Sequence, residues 1–300
     1  MNELYAQYKG LLFKLAYQLT GSVSDSEDVV QDVFLKAMEV HPEQLANPKA
    51  YLCKMVTNRC RDLYKSARKK REEYFGEWLP EPFLTSEEDA MESVVREDLL
   101  SYAMLVLLER LSLAERSVFV LREALGFDYQ EIAELLDKSE TNCRKLFSRA
   151  NAKMGLRQEE LAPHDGAGQA WVQTFLAALK QGNMKQILAM LDQEVVLVSD
   201  GGGKVQAALE PITTRDRVAS FLLGPVRQSA MVHGEVLAEV RQINGNYGIV
   251  LRSSGGVHTA GLIYVENGVV RNLFFVRNPD KLKYVGESDC SGSNSHETQL

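Results

Sequence analysis

Apolar residues recur at three- and four-residue spacing through the first half of the chain and at two-residue spacing through much of its last third. Leu4, Tyr8, Leu11, Leu12, Leu15, Ala16 and Leu19 predict a first helix, stopped by Gly21. Ser24, with Glu27 three residues on, reads as a capping box for a second helix. That helix turns Val29, Val30, Val33, Phe34, Ala37 and Met38 inward. A third begins at Pro48 and buries Leu52, Met55, Val56, Cys60, Leu63, Tyr64 and Ala67. Its opposite face carries Lys54, Asn58, Arg61, Lys65 and Arg68, a positive stripe suited to a phosphate backbone. Three helices with short connections predict one bundle. Leu99–Leu111 and Leu113–Leu125 predict two more helices. Phe127–Met154 then reads as a short helix, a turn at Asp137-Lys138 and a helix capped by Ser139. In the last of these Cys143, Leu146, Phe147, Ala150 and Met154 face inward, while Thr141, Asn142, Lys145, Ser148 and Arg149 face out. A short turn before a cationic helix is the helix-turn-helix pattern, whose second helix enters the major groove.

From Gln169 the pattern changes. Two helices lead to a short strand at Val195–Val198, a turn at Asp200–Lys204 and a returning strand at Val205–Leu209. A helix at Thr214–Leu223 precedes strand-like runs at Val236–Ile243, Tyr247–Arg252, Thr259–Val265 and Val269–Val276. Helices followed by an antiparallel sheet predict an α+β domain. Between the two halves, Glu72–Asp98 is weakly periodic, and Pro80 and Pro82 impose an extended path. Trp78, Leu79 and Phe83 lie in that segment with no obvious cover in the helical part, so they are expected to dock on the C-terminal domain. The expected parts are therefore a helical bundle over 1–72, a linker over 73–98, a helix-turn-helix bundle over 99–158 and an α+β domain over 168–283. The Ser/Gly-rich end, 284–300, is expected to be disordered.

Composition narrows the partners. The 300 residues are 45% hydrophobic and 25% charged, ordinary for a globular protein, and the net charge of −7 excludes a chain that is basic throughout. Charge is local, however. Lys54–Arg71 holds eight Lys/Arg and one acid, and Lys138–Arg157 holds six and one, with an acidic stretch between them. Two such patches suit two contacts with one polyanion. There is no apolar run of membrane-spanning length and no cleavable leader pattern, so a cytoplasmic protein without a membrane partner is expected. Cys53, Cys60, Cys143 and Cys290 lack C-x-x-C spacing and read as small buried hydrophobes, not as a disulfide set or zinc site. Gly203-Lys204 lacks phosphate-loop spacing, and His233 and His258 are isolated, so neither a cofactor nor a metal is expected. Asp200, His258 and Tyr264 are the only candidate catalytic groups in the last domain, and a ligand pocket without chemistry is favoured over an enzyme there.

Residues 4–157 resemble a group-four, or extracytoplasmic-function, sigma factor of bacterial RNA polymerase. Ser26–Met38 resembles the family's clamp-binding helix, which implies Asp28, Gln31 and Asp32 as contacts of core polymerase. Asn47–Lys70 resembles the segment that opens and reads the minus-ten element, implying contacts from Asn47, Lys54, Asn58, Arg61, Lys65 and Arg68. A base unstacked at an easily opened step would sit in the His41–Lys49 loop. Phe127–Met154 resembles the fourth-region reader of the minus-thirty-five element, implying Thr141, Asn142, Lys145 and Arg149; Leu146 stands where the family often has arginine. Trp78–Pro82 (WLPEP) resembles the signature of a subgroup with a fused, cone-shaped SnoaL-like domain, and Asp200–Lys204 and Asn278–Leu282 resemble its other two signatures. The resemblance implies a transcription initiation factor that is not an enzyme, monomeric when free. Its partners would be core polymerase, double-stranded promoter DNA and its melted strand. It further implies regulation in cis by the last domain, through Trp78, Leu79, Pro80, Asp200, Gly201, Lys204, Asn278, Pro279 and Asp280, with a small-molecule ligand of that domain left open. The alternative is a ligand-sensing DNA-binding regulator that is no polymerase subunit.

Overall fold

The computed structural model describes residues 2–39, 47–72, 74–85, 101–155, 167–232 and 236–286, without the side chains of 2, 65–72 and 225–232. His41–Ala46 of the expected base-capture loop, His233, Cys290, residues 86–98 of the linker and the tail from 287 lie outside the described residues. The chain divides into two compact units. One takes the residues up to Glu81 and the helices that follow Ser101; the other takes Pro82–Thr85 and the C-terminal part.

The first unit is all helix. Helices α1 (Asn2–Thr20), α2 (Val23–Ala37) and α3 (Pro48–Glu72) form the expected bundle, and α4 (Tyr102–Leu108), α5 (Leu113–Glu123), α6 (Tyr129–Leu136) and α7 (Glu140–Met154) follow. Leu12, Leu15, Val29, Val33, Leu52 and Val56 are buried, as the helical spacing requires. The cap of α2 is a correction. Ser22, not Ser24, accepts from the Asp25 N–H at 3.2 Å, because the turn at Gly21 (φ +69°) leaves Ser22 extended and starts the helix two residues earlier. Thiol burial follows the pattern: Cys53, Cys60 and Cys143 are buried and free, and desolvation pushes the first two thiols up to about 12.

The linker corrects part of a second expectation: Phe83 belongs to the C-terminal unit, but Trp78 and Leu79 do not. Trp78 to Glu81 are covered inside the helical unit itself. A Cβ at Gly21 would lie 2.8 Å from Trp78 Cη2, and Leu79 is fully buried. Glu81 N–H donates to the Gly21 carbonyl at 2.8 Å, and the Tyr17 and Tyr102 hydroxyls donate to the carbonyls of Glu81 and Pro80, each at 2.7 Å. The Glu81 carboxylate accepts from Val23 N–H at 2.7 Å and the Ser22 hydroxyl at 3.1 Å, which completes the cap of α2. Burial raises its pKa above the ordinary carboxylate value, against the pull of those two hydrogen bonds.

In the second unit α8 (Gln169–Gln181), α9 (Met184–Met190) and α10 (Arg215–Val232) pack on a six-stranded sheet of order β2-β1-β6-β5-β4-β3. The strands are β1 (Leu191–Asp200), β2 (Ile212–Thr213), β3 (Leu237–Ile243), β4 (Asn246–Ser253), β5 (Gly256–Glu266) and β6 (Val269–Val276). Phe175, Ile187, Leu197, Val218, Val270 and Leu273 fill the space between helices and sheet. This is the expected α+β architecture, with two differences. β1 pairs with β6 in parallel, so the sheet is mixed, and the return strand is Ile212–Thr213 instead of Val205–Leu209. The reason lies at Gly201, where a Cβ would clash with the Val205 carbonyl: the chain folds tightly over itself there and leaves the ladder.

Pro82–Thr85 belongs to this unit and lies along its edge strand. Leu84 forms a bridge with Ile243, the Thr85 N–H donates to the Gln242 carbonyl at 3.1 Å, and Asn244 N–H donates to the Phe83 carbonyl at 2.9 Å. A 3-10 turn at Pro279–Lys281 and a last turn, α11 (Lys283–Gly286), close the unit, and Leu84 N–H donates to the Tyr284 carbonyl at 3.1 Å.

Candidate nucleic-acid interface

Each expected contact helix presents a charged outer face over an apolar inner one. On α3, Asn47 caps the helix by accepting from Ala50 N–H at 3.0 Å, so its side-chain oxygen has a structural role beside any DNA contact. Arg61 is exposed and Asn58 half-buried, and Lys65 and Arg68 continue the same helix. Lys54 is not idle. Its Nζ lies 2.6 Å from Asp137 Oδ1 and donates to the Glu134 carbonyl at 3.1 Å. The hydrogen bond and charge of Lys54, with Arg61 adding, hold the Asp137 carboxyl below the ordinary carboxylate value. Lys49 stands over the Phe127 ring, 4.7 Å from its centroid.

On α7 the geometry follows the predicted pattern closely. Asp137, left-handed at φ +52°, turns the chain out of α6, and Ser139 accepts from Asn142 N–H at 3.3 Å to open the next helix. Cys143, Ala150 and Met154 are buried, and Phe147 stacks on Phe119 at 5.9 Å between centroids. Thr141, Asn142, Lys145 and Arg149 are all exposed. Arg144, absent from the expected contacts, lies beside them but is pinned by Glu140 at 2.5 Å and the Tyr129 ring at 4.3 Å. Its position four residues after Glu140 was the available signal. Along α2, Asp28 and Gln31 are exposed, whereas Asp32 is bonded to Arg59 Nε at 2.8 Å and ties α2 to α3.

The remaining signature residues meet each other. Asp200 is fully buried; its Oδ2 lies 2.7 Å from Lys281 Nζ, its Oδ1 accepts from Gly202 N–H at 3.0 Å, and its carbonyl accepts from Arg277 and Asn278 N–H. Lys204 and Asp280 pair at 2.5 Å, and Asn278 Oδ1 accepts from Asp280 N–H at 3.1 Å. Two crossed ion pairs thus clasp the turn after β1 to the turn after β6. Lys281, the cation that neutralises Asp200, was missed in the sequence. No group of three or more His, Cys, Asp or Glu able to hold a metal occurs among the described residues, and no described helix is long and apolar enough to cross a membrane.

Residues 4–70 match Sigma-70 region 2 and residues 101–154 match Sigma-70 region 4. The ECF RNA polymerase sigma factor SigJ of Mycobacterium tuberculosis is 33% identical over 283 residues, covering 90% of this chain and 89% of its own. The chain is an extracytoplasmic-function RNA polymerase sigma factor. A probable ECF sigma factor of the same organism, SigI, is 28% identical to this one over 63% of the chain and 66% of its own. The crystal structure of Mycobacterium tuberculosis SigJ superposes with a TM-score of 0.76 at 29% identity, covering 94% of this sigma factor and 98% of that chain. The fold therefore extends through the C-terminal α+β domain, the expected SnoaL-like part. Like its family, this sigma factor directs promoter recognition and is a transcription initiation factor, not an enzyme. Core RNA polymerase and promoter DNA are the partners the family implies.

Proposed function

We propose that α3 meets the minus-ten element and its opened strand, that α7 reads the minus-thirty-five element, and that the outer face of α2 meets core polymerase. The observation that carries this is the outer face of α7. Thr141, Asn142, Lys145 and Arg149 stand exposed on a helix opened by a left-handed turn and anchored from behind by Cys143, Ala150 and Met154. An asparagine near a recognition helix's N-terminus can pair bidentately with adenine, and cations further along meet phosphate. On α2, Asp28 and Gln31 are the free polar contacts, with Asp32 orienting α3 through Arg59. Transcription in vitro with purified core enzyme tests the reading. Reversing the charge at Arg61 and Lys65 should impair strand opening more than recruitment, whereas Asp28→Arg should impair recruitment itself.

The C-terminal domain regulates the helical part in cis in this reading. Support comes from the linker: residues up to Glu81 are bonded within the helical unit, and the next four are bonded within the C-terminal unit. The Asp200–Lys281 and Lys204–Asp280 pairs hold the C-terminal fold at the end where Leu84 is bound through Tyr284.

A further inference from the structure

We propose that Glu81 is a positioning residue for polymerase binding, whose carboxylate closes the first turn of α2 and makes that turn depend on the state of the C-terminal domain. The proposal rests on the reading above, that the outer face of α2 meets core polymerase and that the C-terminal domain acts in cis. A helix leaves the N–H groups of its first four positions without partners inside the helix. In α2 all four are met. Ser22 N–H donates to Thr20 Oγ1 at 3.2 Å, and Asp25 N–H donates to the Ser22 hydroxyl at 3.2 Å. Val23 N–H donates to Glu81 Oε2 at 2.7 Å, and Ser24 N–H bonds to the same carboxylate. Half of the cap thus comes from a residue 58 positions downstream of Val23.

Other helices of the same unit are capped locally. Helix α5 pairs Ser112 with Glu115 and α6 pairs Asp128 with Glu131, each glutamate three residues after its cap residue. The matching position of α2 holds Asp25, one methylene shorter, and Glu81 supplies the carboxylate instead. Stability alone does not require this, since a glutamate at position 25 would serve. The source of the cap lies at a border: Glu81 belongs to the helical unit and Pro82 to the C-terminal one. On one side, Glu81 N–H donates to the Gly21 carbonyl at 2.8 Å and its carbonyl accepts from the Tyr17 hydroxyl at 2.7 Å. On the other, Phe83 N–H donates to Asn244 Oδ1 at 3.3 Å and Gly245 N–H donates to Thr85 Oγ1 at 3.2 Å. Pro82 fixes its own φ and restricts the backbone of Glu81, so little slack separates the two anchorages. A shift of Pro82–Thr85 therefore pulls on the Glu81 carboxylate and, through it, on the first turn of α2. Asp28 and Gln31 follow that turn, and Asp32 then holds Arg59 at 2.8 Å, so the polymerase face lies between two fixed points.

The test is the affinity of the fluorescently labelled full chain for purified core polymerase, without DNA. Glu81→Ala should raise the Kd about threefold or more, because the competent form of α2 becomes less populated. Amide exchange at Val23, Ser24 and Asp25 should quicken in the free variant. Asp25→Glu in that background builds the local box of α5 and α6, and should bring the Kd back to within about twofold of the parent. Ending the chain after Val276 should change core affinity in the parent but not in Asp25→Glu/Glu81→Ala, whose cap no longer comes from the border. An unchanged Kd with Glu81→Ala overturns the proposal, as does a rescued thermal midpoint without rescued affinity. Asp28→Arg then tells why. If it too binds normally, the assignment of α2 as the polymerase face has failed; if it binds weakly, only the role of Glu81 has. A truncation without effect on the parent, or with equal effect on both proteins, overturns the dependence on the C-terminal domain.

Discussion

Gly21 holds its place by two independent demands, a left-handed φ of +69° and the Trp78 ring that a Cβ would meet at 2.8 Å. Gly21→Ala should therefore destabilise the helical unit by about 1–3 kcal/mol, read as a fall in its thermal midpoint. Lys281 is a second such position, since removing it strips a fully buried Asp200 of its cation. Lys281→Met should cost about 3–5 kcal/mol, while the double variant Asp200→Asn/Lys281→Met should recover much of that loss. A single variant as damaging as the double would contradict the pairing. Glu81 gives a pH signature. Its folded pKa is raised by burial, so the folded state keeps the proton longer than the unfolded state does. The stability this contributes is fully present below the unfolded value, about 4.3, and is lost as pH rises through the folded one. Urea unfolding from acid to neutral pH should show the stability of the parent falling relative to that of Glu81→Gln as the pH rises.

Helices and strands were legible where one period dominated. The apolar stripes of α1, α2, α3 and α7 stand out because each helix buries one face, and their outer residues follow by elimination. Caps were less legible: Ser22 and Ser24 offer the same hydroxyl, and Gly21 together with the distant Glu81 decides between them. Val205–Leu209 alternates well enough for a strand, but the close approach at Gly201 diverts it. Parallel pairing of β1 with β6 brings together residues far apart in sequence, which local patterning cannot specify. At the candidate interface, exposure of Thr141, Asn142, Lys145 and Arg149 was readable, whereas the engagement of Lys54 by Asp137 was not, because their order in the chain says nothing about that meeting. If α7 reads DNA as proposed, Arg149→Ala should weaken all promoters alike, while Asn142→Ala should change preference at one upstream position. A panel of promoter variants with purified core enzyme separates the two, and unchanged preference with Asn142→Ala would remove its base-reading role.

At the scale of the whole molecule, regulation in cis predicts an order among truncations. Ending the chain after Gly286 leaves every ion pair of the clasp in place and should transcribe like the parent. Ending it after Val276 removes Asp280 and Lys281 and should alter activity, as should ending it after Gly166. Three truncations that all transcribe alike would make the C-terminal domain a passenger. Trp78→Ala belongs to another class, since Trp78 packs on the helical unit, and it should lower that unit's stability even without the C-terminal domain.

The placement of Pro82–Thr85 makes the C-terminal domain discontinuous in sequence: four residues from the middle of the chain complete an edge that is otherwise built after Gly166. A domain of that kind cannot be cut out at one point. A fragment beginning at Gly166 would leave the Gln242 carbonyl and Asn244 N–H without the strand that meets them, an open edge that seeks another strand. Such a fragment should self-associate, and a peptide covering Pro82–Thr85 supplied in excess should disperse it. A graft of this domain onto another chain must likewise carry the four residues along with the rest.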